Sequence, residues 1–295
     1  NEYNYTHDTV TIVNPYWLFL LINQNGYARQ FVDDFFIETT IEDIIFNGIP
    51  VKFTGLGSNI IENQFRDNNA SFKCINDSSA KIIEYTGNIN DTSKMRELIM
   101  IFGRESFDDI WESNELVNPA REPKQWPFLT INRNDPLNVW SYDKYRQTNY
   151  VYDSEVDEEG LTMWKYRMSN DVFTKNDNYY MSIDGLINIT SMTGTFVPTF
   201  TSKAHFMDAN DSIIQDSINM GIRPPDPNID DIYLFIEPQA GTVFRNYLTN
   251  QVNFKIEPVS WLLVNVLANL PEIYLPVYYF IVNAYAPPQA IQNYR

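Results

Sequence analysis

From Gln251 to Ile256 the chain reads Gln-Val-Asn-Phe-Lys-Ile, polar and apolar in strict alternation. Side chains on a β-strand point to opposite faces with a period of two. Val252, Phe254 and Ile256 can therefore share one face only if the backbone is extended, as in a half-buried antiparallel strand. The same period runs through Leu161 to Met168, where Trp164, Tyr166 and Met168 alternate with Lys165 and Arg167. Shorter strand candidates are Lys81 to Thr86 and Asn149 to Tyr152. A Pro-rich polar loop from Asp226 to Asp231 leads into a further apolar strand, Ile232 to Ile236. Strands separated by long Asn- and Asp-rich connections point to an antiparallel barrel or sandwich with large insertions. No internal repeat and no low-complexity linker divides the chain.

The first sixty residues carry a helical period instead. Pro15 can open a helix, Tyr16 to Gln24 is strongly apolar, and Gly26 interrupts the pattern. Tyr27 to Ile37 follows, with Phe31, Phe35 and Phe36 at helical spacing and Asp33 and Asp34 on the remaining face. Thr39-Thr40-Ile41-Glu42 has the form of a capping box for a short helix closed by Gly48 and Pro50. With 19 Tyr, 19 Phe and 6 Trp in 295 residues, the chain has ample material for a packed core, which excludes intrinsic disorder.

Charge and cysteine content exclude several functions. The 38 acidic against 21 basic side chains give a net charge of −17, which disfavours nucleic acid and anionic membrane as partners. Cys74 is the one cysteine, so no intrachain disulfide and no cysteine-based metal site can form. His7 and His205, the two histidines, are far apart and lie in no nucleophile motif. Carboxylate pairs such as Asp108-Asp109 or Asp230-Asp231 arise from composition alone and designate no catalytic pair. Asp226, Asn228, Asp230, Ile232 and Glu237 fit an EF-hand count, but its obligatory Gly is replaced by Asp231. We therefore expect no catalytic residue, no metal and no cofactor. No signal peptide opens the chain, and no apolar run is long enough for a membrane span: Tyr16 to Ile22 is short, and Val259 to Ala286 is broken by Asn265, Asn269, Pro271, Glu272 and Pro276. N-glycosylation sequons occur at Asn4, Asn69, Asn76, Asn90, Asn188 and Asn210. An Asn-rich chain carries about four by chance, so they lend modest support to a secreted fate with N-linked glycans.

Pro225-Asp226-Pro227-Asn228, Tyr233 to Gly241 with its Ile236-Glu237-Pro238 turn, and Gln251 to Pro258 resemble, in order, the N-P-N loop, D-I-E-P-x-T-G turn and Q-V-N strand of the class B scavenger receptor / lysosomal integral membrane protein family. Upstream, Gly194 to Phe206, ending Ser202-Lys203-Ala204-His205-Phe206, is similar to a strand entering a P-H-F motif. Trp111-Glu112-Ser113 and Trp126-Pro127-Phe128 resemble its W-E-S and P-P-F. Leu270-Pro271 and Leu275-Pro276-Val277-Tyr278-Tyr279-Phe280 resemble its closing strand. The similarity extends from about Val10 to Phe280.

The resemblance implies an α+β, mainly β ectodomain across residues 1–295. Its core would be an irregular antiparallel β-barrel with long loops over about 71–286, capped by a small helical bundle at about 14–60. Family ectodomains are anchored by a transmembrane helix at each end, and both anchors and the first part of the ectodomain are missing from this chain. The implied activity is non-enzymatic: binding of lipid or lipoprotein, or of a protein ligand, at the helical apex, with a hydrophobic tunnel for lipid uptake or transfer. Trp17, Leu18, Phe19, Phe31, Phe35 and Phe36 are the candidate binding residues there, since so much apolar surface on a small helix pair marks a binding face. The implied location is the cell surface or the lysosomal lumen. The chain departs from the family in lacking its disulfides, in carrying Asp33 and Asp34 where receptors for anionic ligands carry lysines, and in His205, which reads as a packed core residue. A rival reading is a structural or adhesive extracellular glycoprotein that keeps the fold and self-assembles as a homo-oligomer, with Cys74 able to pair between chains.

Overall fold

A computed structural model of the chain describes residues 9–13, 36–40, 82–86, 93–127, 131–158, 160–190, 198–257 and 272–286. These residues are mainly β, with antiparallel sheets and few helices. The chain divides into two compact units: residues 1–77, 188–200 and 252–277 form the first, and 78–187, 201–251 and 278–295 the second.

In the first unit β1 (Thr9–Val13) pairs antiparallel with β2 (Phe36–Thr40), Thr9 facing Thr40 and Val13 facing Phe36. This corrects two expectations, since Phe36 and Ile37 close no helix and Thr39-Thr40 is not a helix cap. The β-branched run Thr9-Val10-Thr11-Ile12-Val13 offers a ladder partner. Ile37, Thr39 and Thr40 are themselves β-branched, so propensity favours extension once that partner is present. The rest of the expected helical apex, 14–35 and 41–60, lies outside the described residues.

The remaining strands are β3 (Ile82–Glu84), β4 (Leu98–Ile101), β5 (Leu137–Ser141), β6 (Arg146–Glu158), β7 (Leu161–Met168), β8 (Ile187–Asn188), β9 (Thr199–Ser202), β10 (Tyr233–Glu237), β11 (Thr242–Ile256) and β12 (Ile273–Tyr285). β3 and β4 form a small antiparallel pair. The main sheet runs in the order β5-β6-β7-β10-β11-β9-β8, with β12 also paired to β11. That path is open, and no closed barrel is found among the described residues. Its last member, β8, is two residues long and offers no ladder to carry closure further.

The β6–β7 hairpin shows how sequence sets register. Glu158 faces Leu161, so the connection is a two-residue turn, which favours positive φ. Gly160 supplies it at φ +80°, and its N–H donates to the Asp157 carboxylate at 2.9 Å. β7 has the expected bounds, Leu161–Met168, and buries Met163, Tyr166 and Met168. Two apolar clusters hold the second unit: Leu98, Ile101, Phe107, Val117, Ala120 and Trp140 in one, Met163, Tyr233, Phe235 and Phe244 in the other. Each such large side chain contributes roughly 1.5–3 kcal/mol by leaving water.

Gln251 to Ile256 forms the second half of β11 and is a strand as expected, but it is not half-buried. Gln251 and Asn253 are as inaccessible as Val252 and Phe254. Within the second unit the Gln251 carboxamide oxygen accepts from the His205 N–H at 2.9 Å. Within the first, Asn253 Nδ2 reaches the Phe200 carbonyl at 3.5 Å. Gln251 and Asn253 therefore satisfy buried backbone rather than face solvent, whereas the third polar member, Lys255, is partly exposed and pairs with Glu257 and Glu272. α1 (Asp211–Asn219) is capped by Asn210, and the single turn α2 (Pro227–Asp230) is capped by Asp226 with Pro227 at its first position.

Candidate functional site

Two stretches that carry the resemblance, Ser202 to Phe206 and Asp226 to Asp231, meet in the second unit and build a buried charge cluster. Lys203 Nζ, wholly inaccessible, donates to Asp231 Oδ1 at 2.6 Å and to Asp208 Oδ2 at 2.7 Å. Arg167, on β7, donates through its Nε to Asp231 and through a terminal nitrogen to Asp208 at 2.7 Å. Two cations and two carboxylates thus interlock, and the Ile232 N–H adds a further donor to Asp231 at 2.8 Å. Isolated, each charge would bear a desolvation cost of several kcal/mol; interlocked, none is left unpaired.

Beside it, Asp230 accepts both terminal nitrogens of Arg223 at 2.6 Å, the Asp226 N–H at 2.7 Å and sits 2.9 Å from His205 Nδ1. Burial raises the pKa of Asp230, but the Arg223 guanidinium and the Asp226 N–H outweigh it and hold the carboxyl below its ordinary value. The pKa of Arg223 is raised by its own hydrogen bonds to Asp230. His205 itself is buried, as expected of a core residue, and its ring lies edge-on to Tyr279 with centroids 4.8 Å apart. Its backbone is left-handed at φ 53°, followed by Phe206 at 58° and Asp208 at 61°. Such positions cost about 1–3 kcal/mol each and persist where surroundings over-determine them. Here the bonds of His205, Lys203 and Asp208 do so.

The other motifs are joints as well. The Trp126 N–H donates to the Gly241 carbonyl at 2.7 Å. Gly241 has φ +69°, and a Cβ there would lie 2.6 Å from the Trp126 carbonyl oxygen. Glu237, in the Ile236-Glu237-Pro238 turn, accepts the Gln239 and Ala240 N–H groups at 3.1 and 2.6 Å and pins that turn. Trp111 is buried, donates its indole N–H to the Tyr145 carbonyl at 3.1 Å and packs on Tyr179 and Tyr180. Every one of these motif residues is consumed by structure. Sequence reasoning did not foresee Arg167 and Arg223 as partners of the motif aspartates: Arg167 is 64 residues from Asp231, and Arg223, seven residues before Asp230, reaches it only because of the loop and turn between them.

The predicted binding residues Trp17, Leu18, Phe19, Phe31 and Phe35 lie outside the described residues, and Phe36 opens β2. Of the sequons, Asn4, Asn69, Asn76 and Asn90 also lie outside, as do His7 and Cys74. Asn188 is half-buried on β8, its carbonyl oxygen accepting from the Thr190 hydroxyl at 2.6 Å. Asn210 is exposed and its oxygen accepts from the Ser212 N–H and hydroxyl. In both cases the hydrogen bonds engage the side-chain oxygen rather than Nδ2, the atom that carries a glycan. The EF-hand count assembles nothing: Asp226 caps α2, Asp230 is enclosed by Arg223 and His205, and Glu237 holds its own turn. Among the described residues no group of three or more potential ligands could hold a metal ion. A surface the sequence reading missed is the far half of β12, where Tyr279, Phe280, Ile281, Val282 and Tyr285 are exposed.

The model of the CD36 family matches residues 2–295. The chain belongs to the CD36 family. This is the class B scavenger receptor family, so the resemblance read from the motifs is correct. Proteins of the CD36 family bind lipids and lipoproteins, act as receptors rather than enzymes, and reside at the cell surface or in the lysosomal membrane. No curated protein matches the chain. Among the described residues, no helix is long and apolar enough to cross a membrane.

Proposed function

We propose that this chain is a non-enzymatic, lipid-binding receptor ectodomain. Lipid or lipoprotein docks at the 14–60 apex through Trp17, Leu18, Phe19, Phe31, Phe35 and Phe36, and acyl chains pass along a hydrophobic tunnel beneath it. The observation that carries the reading is the family match across residues 2–295. The engagement of the motif carboxylates agrees with it: Asp230, Asp231 and Glu237 are bound by arginine, lysine or backbone N–H groups, which leaves them unsuited to general acid–base work. Apolar ligand would be held by the hydrophobic effect and dispersion, with N-linked glycans covering the outer surface. Anchors on either side of this chain would hold the ectodomain to the cell surface or inside the lysosome.

Native mass spectrometry of protein purified without added lipid tests this. Monomers carrying a lipid-sized adduct that organic solvent removes are expected, with retention lost in a Phe31→Asp/Phe35→Asp chain. Chains that stay empty after incubation with fatty acid and phospholipid vesicles would overturn it.

One observation favours the second reading, a self-assembling structural or adhesive glycoprotein. Ile273–Tyr285 contains no charged residue in a chain of net charge −17, so β12 is a strip where two copies could approach without repulsion. The same spectra decide it, because a defined oligomer of empty chains is its signature.

A further inference from the structure

On the second unit an open groove of about 720 Å³ lies where the segment at Ile131 and Arg133, the β6–β7 hairpin and the β10–β11 turn converge. Trp164, Leu161 and Pro238 form its apolar part, and Arg133, Glu155 and Gln239 its polar part. The Arg133 guanidinium stacks over the Trp164 ring at 4.5 Å and over Tyr152 at 5.1 Å. It also bonds Glu155 at 2.5 Å, with both side chains nearly half exposed. Leu161 also packs against the Met163 cluster and Trp164 against Tyr152, but the polar side chains Arg133, Glu155 and Gln239 hold none of the joints described above.

Its chemistry narrows the ligand. Arg133 is opposed by Glu155 and by Glu237, which also lines the groove, so the net charge there is −1 and an acidic ligand is repelled. An alkyl chain would cover Arg133 and Gln239 without replacing their hydrogen bonds to water, at a desolvation cost. A sugar ring fits both halves. Its C–H face packs on the accessible part of the half-buried indole with Leu161 and Pro238 beside it. Its neighbouring hydroxyls pair two at a time with flat groups that present two polar atoms: carboxylate, guanidinium and carboxamide. Those are the groups here, and the solvent-facing Arg133–Glu155 pair is weak enough to rearrange around hydroxyls. The volume lies within the range of small-ligand sites and leaves room for more than one ring.

We propose that this groove binds a neutral saccharide, with Trp164 as the apolar platform and Arg133, Glu155 and Gln239 as the hydroxyl-reading groups. The site is independent of the apex and of lipid.

The test is to screen the full chain, after enzymatic removal of its own N-glycans, against immobilised neutral, sialylated and sulfated glycans. The best neutral oligosaccharide is then titrated by calorimetry. Saturable binding of neutral glycans is expected, abolished in Trp164→Ala. Because Trp164 also packs on Tyr152, Gln239→Ala, at an exposed turn position, gives the second reading; it should weaken binding roughly threefold to tenfold, the worth of one hydrogen bond. Gln215→Ala on α1 should leave affinity unchanged. Absence of neutral binding, a preference for acidic glycans, or wild-type affinity in both Trp164→Ala and Gln239→Ala would overturn the proposal.

Discussion

The cluster at Lys203 and the groove at Trp164 use the same kinds of side chain, basic groups against carboxylates, for opposite purposes. In the cluster, Lys203 and Arg167 each bond two carboxylates, and Lys203 and Asp231 are wholly inaccessible. In the groove, Arg133 has one ionic partner among the described residues, and both members of the pair are close to half exposed. Burial is what separates them. A charge taken out of water must be paired completely, so it becomes part of the fold and is closed to ligands. A charge left at the surface contributes little to stability and keeps its hydrogen-bonding capacity for something else. The motif residues Lys203, Asp230 and Asp231 fall in the first class, whereas the turn at Glu237 to Gln239 also borders the groove.

That contrast can be broken first at Asp231. Asp231→Ala strands Lys203 without its main partner, and a loss of about 3–5 kcal/mol is expected in the denaturant midpoint, or failure to accumulate as folded protein. A loss under about 1 kcal/mol would mean that Asp208 alone suffices and that the interlocking is not what holds this region. Gly241→Ala comes next. It combines a positive φ with a Cβ 2.6 Å from the Trp126 carbonyl oxygen, and should cost on the order of 1–3 kcal/mol, readable as a lowered melting temperature.

Acid sharpens the comparison further. The folded-state pKa of Asp230 lies below its ordinary value, so its stabilisation is present in full above about pH 4. It disappears as pH falls through the folded pKa. Melting temperature should carry no contribution from this group's titration between pH 7 and 5 and should fall below about 4. Asp230→Asn should be less stable at neutral pH with a flatter acid limb, and an unchanged limb would remove Asp230 from the account. Smallest of all, Glu155→Gln should shift stability by less than about 1 kcal/mol in the same denaturant titration. A larger effect would make the groove pair structural and erase the distinction drawn here.

Much of the strand content was legible because a period of two leaves no other explanation. Leu161–Met168 is a strand over the span the alternation indicated, and Gln251 to Ile256 is strand throughout. The helical period carried through Phe36 and Ile37 misled for a physical reason: spacing describes a face only if the backbone is helical, and β1 supplies Phe36–Thr40 with a ladder instead. Burial of Gln251 and Asn253 was equally invisible, because alternation shows that two faces differ but not that the polar one faces solvent. The groove could not be read either. Arg133, Glu155, Trp164 and Gln239 belong to four separate stretches with no shared motif, and only the hairpin and turn geometry brings them together.

By itself the sequence determined the family, the mainly β class, and the exclusion of intrachain disulfide and cysteine-metal chemistry. Those follow from residue types and from short-range order, which are properties of the chain before it folds. Tertiary structure alone decided what the acidic residues do. Asp226, Asp230 and Asp231 are near neighbours in one loop, yet one caps α2, one is bound by Arg223 and His205, and one is locked between Lys203 and Arg167. The role of a charge is fixed by the water it loses and the partner it gains, and both are set only when distant segments pack.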